Sequence, residues 1–427
     1  MKNYTSIRLE ITSSCNLNCR YCHNQEFANQ NNDMSTEEIL KLVENLDKNN
    51  KIKKVLLTGG EPLMKPDICK IISKLTSMGI KVDMVTNGVL LTKKKLIELQ
   101  EAGLKRIRLS IDEPGKNTIL REGSNPKILW KKAKMIAQES DIELCVHTVC
   151  SPNNAEMLFD IYKKLLEIGA ARWRVFELGY QGGSVNNKEE FEFDSYYQKY
   201  INSTKKIIKD YIKNGYKDTL DIEINNIFKT AFLNVKYSDN MQIDIEKMVK
   251  AKSEESPCNY VTDHQLTVRS DGKATLCQYF HNTIYDFKSH NYDINNTIKD
   301  ECNCEENTIK MKDLNYCMKC KYGLLCNSGC RSRAKYLTGN ILDADPVGCY
   351  LFPKVDKEIM TLLPEGIQKI YNLSIVEKGL EPKYKAEDLR RLLKEKGYNV
   401  SENWNWIQNK NKCFWRKQLY TSNGRIL

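Results

Sequence analysis

Sixteen of the 427 residues are cysteine, and their distribution is uneven. Cys15, Cys19 and Cys22 fall within eight residues near the start, and nine more lie between residues 258 and 349. A chain this long, with 41% hydrophobic residues, can bury a sizeable core and does not need disulfide staples. Thiols in this number point to metal ligation. No apolar run approaches the roughly 18 residues that a membrane helix needs. No charged-then-apolar leader precedes the first strand-like segment either. The expected setting is therefore a reducing, anaerobic cytoplasm without a membrane partner. The net charge of +11 is a second feature that needs an explanation.

Through residue 180 short apolar runs alternate with helical patterns. Ser6–Thr12, Lys54–Leu57, Lys81–Val85, Arg106–Ile111, Ile142–Val149 and Arg172–Phe176 read as strands. Thr36–Leu46, Asp67–Met78, Lys93–Ala102, Pro126–Gln138 and Ala155–Ile168 read as helices, the first capped by Ser35 or Thr36. Six strands separated by helices predict βαβ units and a parallel sheet, closing into a full or partial barrel. The chemistry of such a barrel sits at the C-terminal ends of its strands. Directly after the first strand comes Cys15-Asn-Leu-Asn-Cys19-Arg-Tyr-Cys22. Three thiolates on one loop suit a four-iron cluster whose fourth iron stays open to a small molecule. A zinc knuckle is the competing reading, but structural zinc prefers four ligands, and His23 is cramped against Cys22.

Cys-X3-Cys-X2-Cys with an aromatic before the third cysteine resembles the signature of the radical S-adenosylmethionine (SAM) superfamily. Further matches follow in order at successive strand ends: Thr58-Gly59-Gly60-Glu61-Pro62, Thr86-Asn87-Gly88, Ser110 and Asp112, then Arg121. The resemblance implies that Cys15, Cys19 and Cys22 ligate a 4Fe–4S cluster whose open iron chelates SAM. It places Gly59, Gly60 and Glu61 near the SAM ammonium, with Asn87 among the contacts. Ser110 would bond the ribose or carboxylate, and Arg121 would offset the carboxylate charge. Glycine at 59 and 60 is read as leaving room for a ligand. Arg121 as a solvated residue and Asp112 as a cap are the plainer alternatives. The implied chemistry is one-electron cleavage of SAM to a 5′-deoxyadenosyl radical that takes a hydrogen from the substrate.

Residues 181–257 read as a linker and helical connection, with a long polar helix over Asp194–Tyr216 and a featureless surface stretch over Lys236–Glu255. In the loop after the sixth strand, Glu177 and Tyr180 are candidate substrate contacts, or members of an ordinary glycine-rich turn. Residues 258–350 contain Cys258, Gly272, Cys277, Cys317-X2-Cys320-X5-Cys326-X3-Cys330 and Cys349. That spacing resembles SPASM domains, which carry two auxiliary 4Fe–4S clusters; zinc ribbons are the alternative. By position, Cys317, Cys320, Cys326 and Cys349 would hold the outer cluster. Cys258, Cys277 and Cys330 would hold the inner one, which is left one ligand short. Cys302 or Cys304 supplies that ligand, or the site is open to substrate. Cys69, Cys145, Cys150 and Cys413 read as structural thiols.

The expected fold is thus α/β: a partial (β/α)6 TIM-like barrel (1–180), the connection, the iron–sulfur domain, and a C-terminal extension (351–427). SPASM-containing relatives mostly modify peptides or proteins, so the expected activity is oxidative modification of a peptide, such as a thioether or carbon–carbon crosslink. Sulfatase maturation or dehydrogenation of a small molecule is the alternative. Gln278 stands where the sulfatase branch has an Asp base, and Gln does not take up a proton in that role; Tyr279 and His281 are the nearby substitutes or simply packing. A non-catalytic zinc-binding interaction protein is the reading from another class. Implied partners are a precursor peptide or protein, an electron donor such as flavodoxin or ferredoxin, and a separate leader-binding protein. No leader-binding domain precedes Cys15, so the other source of leader recognition is the C-terminal segment. Residues 350–427 hold 15 Lys/Arg against 9 Asp/Glu, +6 of the total +11. They also hold Trp404, Trp406, Phe414, Trp415 and Tyr420. Such a surface suits an acidic peptide, and less well a nucleic acid. A helical lid built on Lys385–Lys396 is the plainer reading.

Overall fold

The computed structural model describes residues 4–115, 120–216, 219–225, 227–234, 245–258, 265–292, 308–376 and 379–400. Six strands follow in chain order: β1 (Ser6–Glu10), β2 (Lys54–Thr58), β3 (Lys81–Thr86), β4 (Arg106–Ser110), β5 (Glu143–Cys150) and β6 (Arg172–Glu177). Each pairs in parallel with the next. The crossovers run through α1 (Thr36–Asn50), α2 (Ile68–Ser77), α3 (Lys93–Glu101), α4 (Pro126–Glu139) and α5 (Leu158–Ile168). Ser35 caps α1 as expected: its hydroxyl accepts from the Glu38 amide, and Glu38 accepts from the Ser35 amide.

The sheet continues beyond these six on both sides. β7 (Asp221–Ile224) runs parallel to β6, and β8 (Phe228–Lys229) antiparallel to β7. On the other flank β9 (Gln265–Val268) pairs in parallel with β1, followed by antiparallel β10 (Lys273–Thr275) and β11 (Tyr285–Asp286). The order β8-β7-β6-β5-β4-β3-β2-β1-β9-β10-β11 is open, with β8 and β11 at its ends. The stretch read as a linker therefore adds two strands to the main sheet, and the cysteine block adds three.

The expected polar helix over Asp194–Tyr216 is α6 (Tyr196–Lys213), and it is not polar on its inner face. Tyr196, Tyr197, Tyr200, Ile201 and Ile207 are buried on it. The tyrosine hydroxyls find partners while the rings pack, as in the 2.8 Å Tyr180–Tyr197 pair. Within the stretch read as featureless, Ile245–Ser253 is a helix. In the C-terminal part, α7 (Arg331–Thr338), α8 (Pro346–Lys354) and α9 (Ala386–Glu395) pack together, with Leu389 and Leu393 of α9 fully buried. Cys302, Cys304, Cys413 and the aromatic residues beyond 400 lie outside the described residues.

Strand alternation sorts the two faces. Ile7 and Leu9 of β1, Ile107 and Leu109 of β4, and Trp173 and Val175 of β6 are buried, each such apolar side chain contributing about 1.5–3 kcal/mol. Their neighbours Arg8 and Glu10, Arg106 and Arg108, and Arg172 and Arg174 point to the opposite face. A parallel sheet covered by helices on both sides would read as continuous apolar runs. This one carries charge on its concave face and so encloses a polar lumen.

Candidate active site and cysteine groups

The Cys15–Cys22 loop leaves the end of β1 and is fastened across the neighbouring strand ends. The Gly60 and Glu61 amides after β2 donate to the Thr12 and Ser14 carbonyls, both at 2.8 Å. A Cβ on Gly59 would sit 2.2 Å from the Thr12 oxygen, and one on Gly60 2.2 Å from the Ser14 oxygen. The glycines are thus required by close approach of the loop's own backbone, a reason nearer to hand than ligand access. Behind the loop, Asp33 accepts from the Thr12 hydroxyl at 2.7 Å and the Ser13 amide at 2.9 Å. Asn29, at φ 56°, accepts from the Cys15 amide at 2.9 Å. Neither was visible in the sequence pattern.

Glu61 is buried and joins strand ends. Its carboxylate accepts from the Thr86 hydroxyl (2.6 Å), the Asn87 amide (2.7 Å) and the Leu63 amide (3.1 Å). Burial pushes its pKa up against these bonds. Asn87 in turn donates to the Asn16 side chain within the cysteine loop, at 2.8 Å. Asp112 at the end of β4 is not a cap. Its carboxylate accepts from the hydroxyl of Tyr21, the aromatic residue of the cysteine motif, and from the Val149 amide at 2.7 Å. Arg121 is buried rather than solvated, because a short ribbon pairs Arg121 with Cys19. Its guanidinium lies 3.4 Å from Asp112, while its Nε is buried with no hydrogen-bond partner among the described residues. Ser110, half-buried, ends β4 one register step from Asp112.

Gly182 and Gly183, after β6, close the far side of the loop. The Gly183 amide donates to the Cys22 carbonyl at 2.8 Å, and a Cβ on Gly182 would lie 2.5 Å from that oxygen. Glu177 and Tyr180 turn away from the loop. Tyr180 packs in the tyrosine core, and Glu177 receives the Arg333 guanidinium of the cysteine block. Burial and neighbouring thiols hold the pKa of Cys19 up at about 11 and of Cys22 at about 12. Metal ligation requires the thiolates. Three half-buried thiols crowded on one loop, beside an arginine whose Nε has no partner among the described residues, fit a metal centre that also binds a carboxylate-bearing ligand.

All thirteen cysteines among the described residues are free. Cys317, Cys320, Cys326 and Cys349 line one cavity together. A Cβ on Gly348 would come within 3.3 Å of Cys326 Sγ, so glycine keeps that wall open. Cys277 lies beside Cys258 and Cys330, whose charges add to burial in raising its pKa. Cys277 thus groups with Cys258 and Cys330, apart from the four that line the cavity. Among the described residues no three His, Cys, Asp or Glu side chains are arranged to hold a single ion. Asp345 ties the sets together: it caps α8 at the Val347 amide (3.1 Å), accepts from the Cys330 amide (3.0 Å), and pairs with buried Arg333 at 2.6 Å. Arg333 continues to Glu177 at the end of β6. Tyr279 stands edge-on to His23 at 5.8 Å, with burial and the nearby thiols pushing its pKa up to about 12. It is therefore neutral at physiological pH. His281 packs on Phe27 and lies 3.3 Å from Glu26.

Residues 9–140 match the family model described as the radical SAM superfamily. The chain carries a radical SAM domain. The radical SAM family uses a 4Fe–4S cluster and SAM. Among curated proteins, an AdoMet-dependent heme synthase of Oleidesulfovibrio alaskensis is 28% identical over 44% of this chain and 50% of its own length. A PqqA peptide cyclase of Bradyrhizobium diazoefficiens is 28% identical over 43% and 49%. The match thus spans about half the length of these relatives. Among solved structures, anSMEcpe with bound AdoMet superposes with a TM-score of 0.62 at 18% identity, over 86% of this chain and 98% of that one. Streptococcus suis SuiB bound to precursor peptide SuiA gives 0.56 at 16%, over 82% and 76%. The structural likenesses show the fold alone, an α/β core built on a parallel sheet; in this chain a cysteine-rich region follows it. No helix among the described residues is long and apolar enough to cross a membrane.

Proposed function

We propose that this chain is a radical SAM enzyme that oxidatively modifies a peptide. The observation that carries the reading is the fastening of Cys15, Cys19 and Cys22 across the ends of β1, β2 and β4, beside the unpartnered Nε of Arg121. Those three thiols would hold the SAM-binding 4Fe–4S cluster, and Arg121 would face the SAM carboxylate. When bound, the cluster and SAM supply a 5′-deoxyadenosyl radical able to take hydrogen from an unreactive C–H bond. The chain's own part is positional. Glu61 fixes the ends of β2 and β3, Asp112 fixes Tyr21 and Arg121, and Gly182–Gly183 cover the loop. Ser110 ends the neighbouring strand, where a polar contact to the ligand is expected. Cys258, Cys277 and Cys330, and Cys317, Cys320, Cys326 and Cys349, would hold two auxiliary 4Fe–4S clusters in a SPASM domain.

The peptide substrate is supported by the PqqA peptide cyclase and by the SuiB–SuiA complex. A thioether or carbon–carbon crosslink is the proposed outcome. Gln278, which does not serve as a base, argues against the sulfatase-type reaction. A flavodoxin or ferredoxin would supply the electron, and a separate protein or the C-terminal segment would present the leader. Anaerobic purification tests the reading. Iron–sulfur content and 5′-deoxyadenosine formation on adding dithionite and SAM are expected. Abundant zinc with no SAM cleavage would refute it.

A further inference from the structure

The lumen holds a second polar site, separate from the cysteine loop. Arg8 of β1, Arg108 of β4, Arg174 of β6 and His147 of β5 occupy it together. Burial, and then the charges of Arg108, Arg174 and Arg8, hold the His147 pKa well below the usual imidazole value. A neutral ring thus sits among three guanidiniums. Carboxylates within reach are already shared. Asp83 serves Lys54 at 2.8 Å, Arg108 at 2.7 Å and Arg106 at 3.3 Å. Glu223 serves Arg174 and Lys229. Glu10 lies near Arg8, but burial pushes its pKa up. Among the described residues Arg8 has no ion pair; its guanidinium donates only to the Thr58 hydroxyl, at 3.5 Å.

Among the described residues, Arg8 Nε, Arg108 Nε and His147 Nε2 are buried without a hydrogen-bond partner: two guanidinium donors, and a ring nitrogen that donates in its Nε2-protonated form. Buried donors, charged ones above all, are costly when unmatched. Arg8 is also within electrostatic reach of His23 and Tyr279, which stand beside Cys22 and Cys277. An anion on Arg8 would therefore lie at the cysteine-loop end of the lumen.

We propose that Arg8, Arg108 and His147 form a receptor for an oxyanion of the substrate, a carboxylate or a phosphate, inside the lumen. The inference rests on the reading above that the lumen receives the substrate. In a peptide the group would be an acidic side chain or a terminal carboxylate. Arg174, held by Glu223, adds field rather than a bond.

Calorimetric titration of the anaerobically reconstituted full chain with glutarate, inorganic phosphate and uncharged glutaramide tests the site. Saturable binding of an anion but not of glutaramide is expected. Arg8→Gln and His147→Gln should each weaken it about tenfold, the scale of one charge-assisted hydrogen bond, with Arg8→Lys in between. Tighter glutarate identifies a carboxylate source, and tighter phosphate a phosphate source. Should a variant fail to fold, the wild type still decides: anion binding must raise the His147 pKa, read from its imidazole carbon resonance. No saturable binding, or binding indifferent to both substitutions, overturns the site. Anion binding in a chain that does not cleave SAM refutes the proposed function and leaves the site standing. SAM cleavage without anion binding does the reverse.

Discussion

The two cysteine regions bring their thiols together by opposite routes. Cys15, Cys19 and Cys22 are local in sequence, yet their loop is held from outside by Asn29, Asp33, Glu61, Asp112 and Gly183. The C-terminal thiols come from segments far apart, and their grouping is made by helix geometry and by the Asp345–Arg333–Glu177 network. The first is a loop that the barrel positions. The second is a small fold that its ligands and one buried ion network assemble. Local spacing suits a site open to a small molecule, whereas the cavity walled by four cysteines suits a closed centre.

Substitutions separate the two, beginning with the largest expected effect. Replacing Cys15, Cys19 and Cys22 together by Ala should reduce 5′-deoxyadenosine formation to the level of the enzyme-free mixture. Activity that survives would break the assignment of the loop. Cys317→Ala or Cys349→Ala should remove about four irons per chain, the content of one cluster, while SAM cleavage persists. Loss of SAM cleavage there would couple the cavity cysteines to the Cys15–Cys22 loop, across contacts such as Arg333–Glu177 and Tyr279–His23. Asp345→Asn keeps a capping oxygen for α8 but takes away one of the two carboxylates that face buried Arg333. A loss of about 3–5 kcal/mol is expected in denaturant unfolding, because breaking this buried pair leaves the Arg333 charge to Glu177 alone. Gly60→Ala forces a Cβ against the Ser14 carbonyl and should cost about 1–3 kcal/mol, the scale of overpacking. It should also lower SAM affinity more than Asp345→Asn does, as read by equilibrium dialysis.

The strands of the barrel were legible to within two residues because period-2 alternation and short apolar runs survive translation into structure. The Ser35 cap was legible for the same local reason. Arg121 was not: its burial follows from pairing with Cys19, a contact about a hundred residues distant in the chain. Tyr196, Tyr197 and Tyr200 made α6 read as polar, since a tyrosine counts as polar in a pattern and as a large ring in a core. Asp221–Ile224 was missed because four residues in a charged stretch give no periodicity to detect. The lumen arginines left a signal that went unread: Ile-Arg-Leu-Glu, Arg-Ile-Arg-Leu-Ser and Arg-Trp-Arg-Val place charge at every second strand position. On a sheet with helices outside, that charge has to face the lumen. Asp345-Pro346 carried a cap signature whose second duty, holding Arg333, only the fold reveals.

The central claim is that two independent cysteine regions hold different centres. Iron and zinc counts on the anaerobically reconstituted chain, before and after replacing Cys15, Cys19 and Cys22 by Ala, test it most directly. The account predicts about twelve irons falling to about eight, since each four-iron cluster is separately ligated. Complete loss of iron in the variant, or zinc in place of iron in the starting protein, would contradict it.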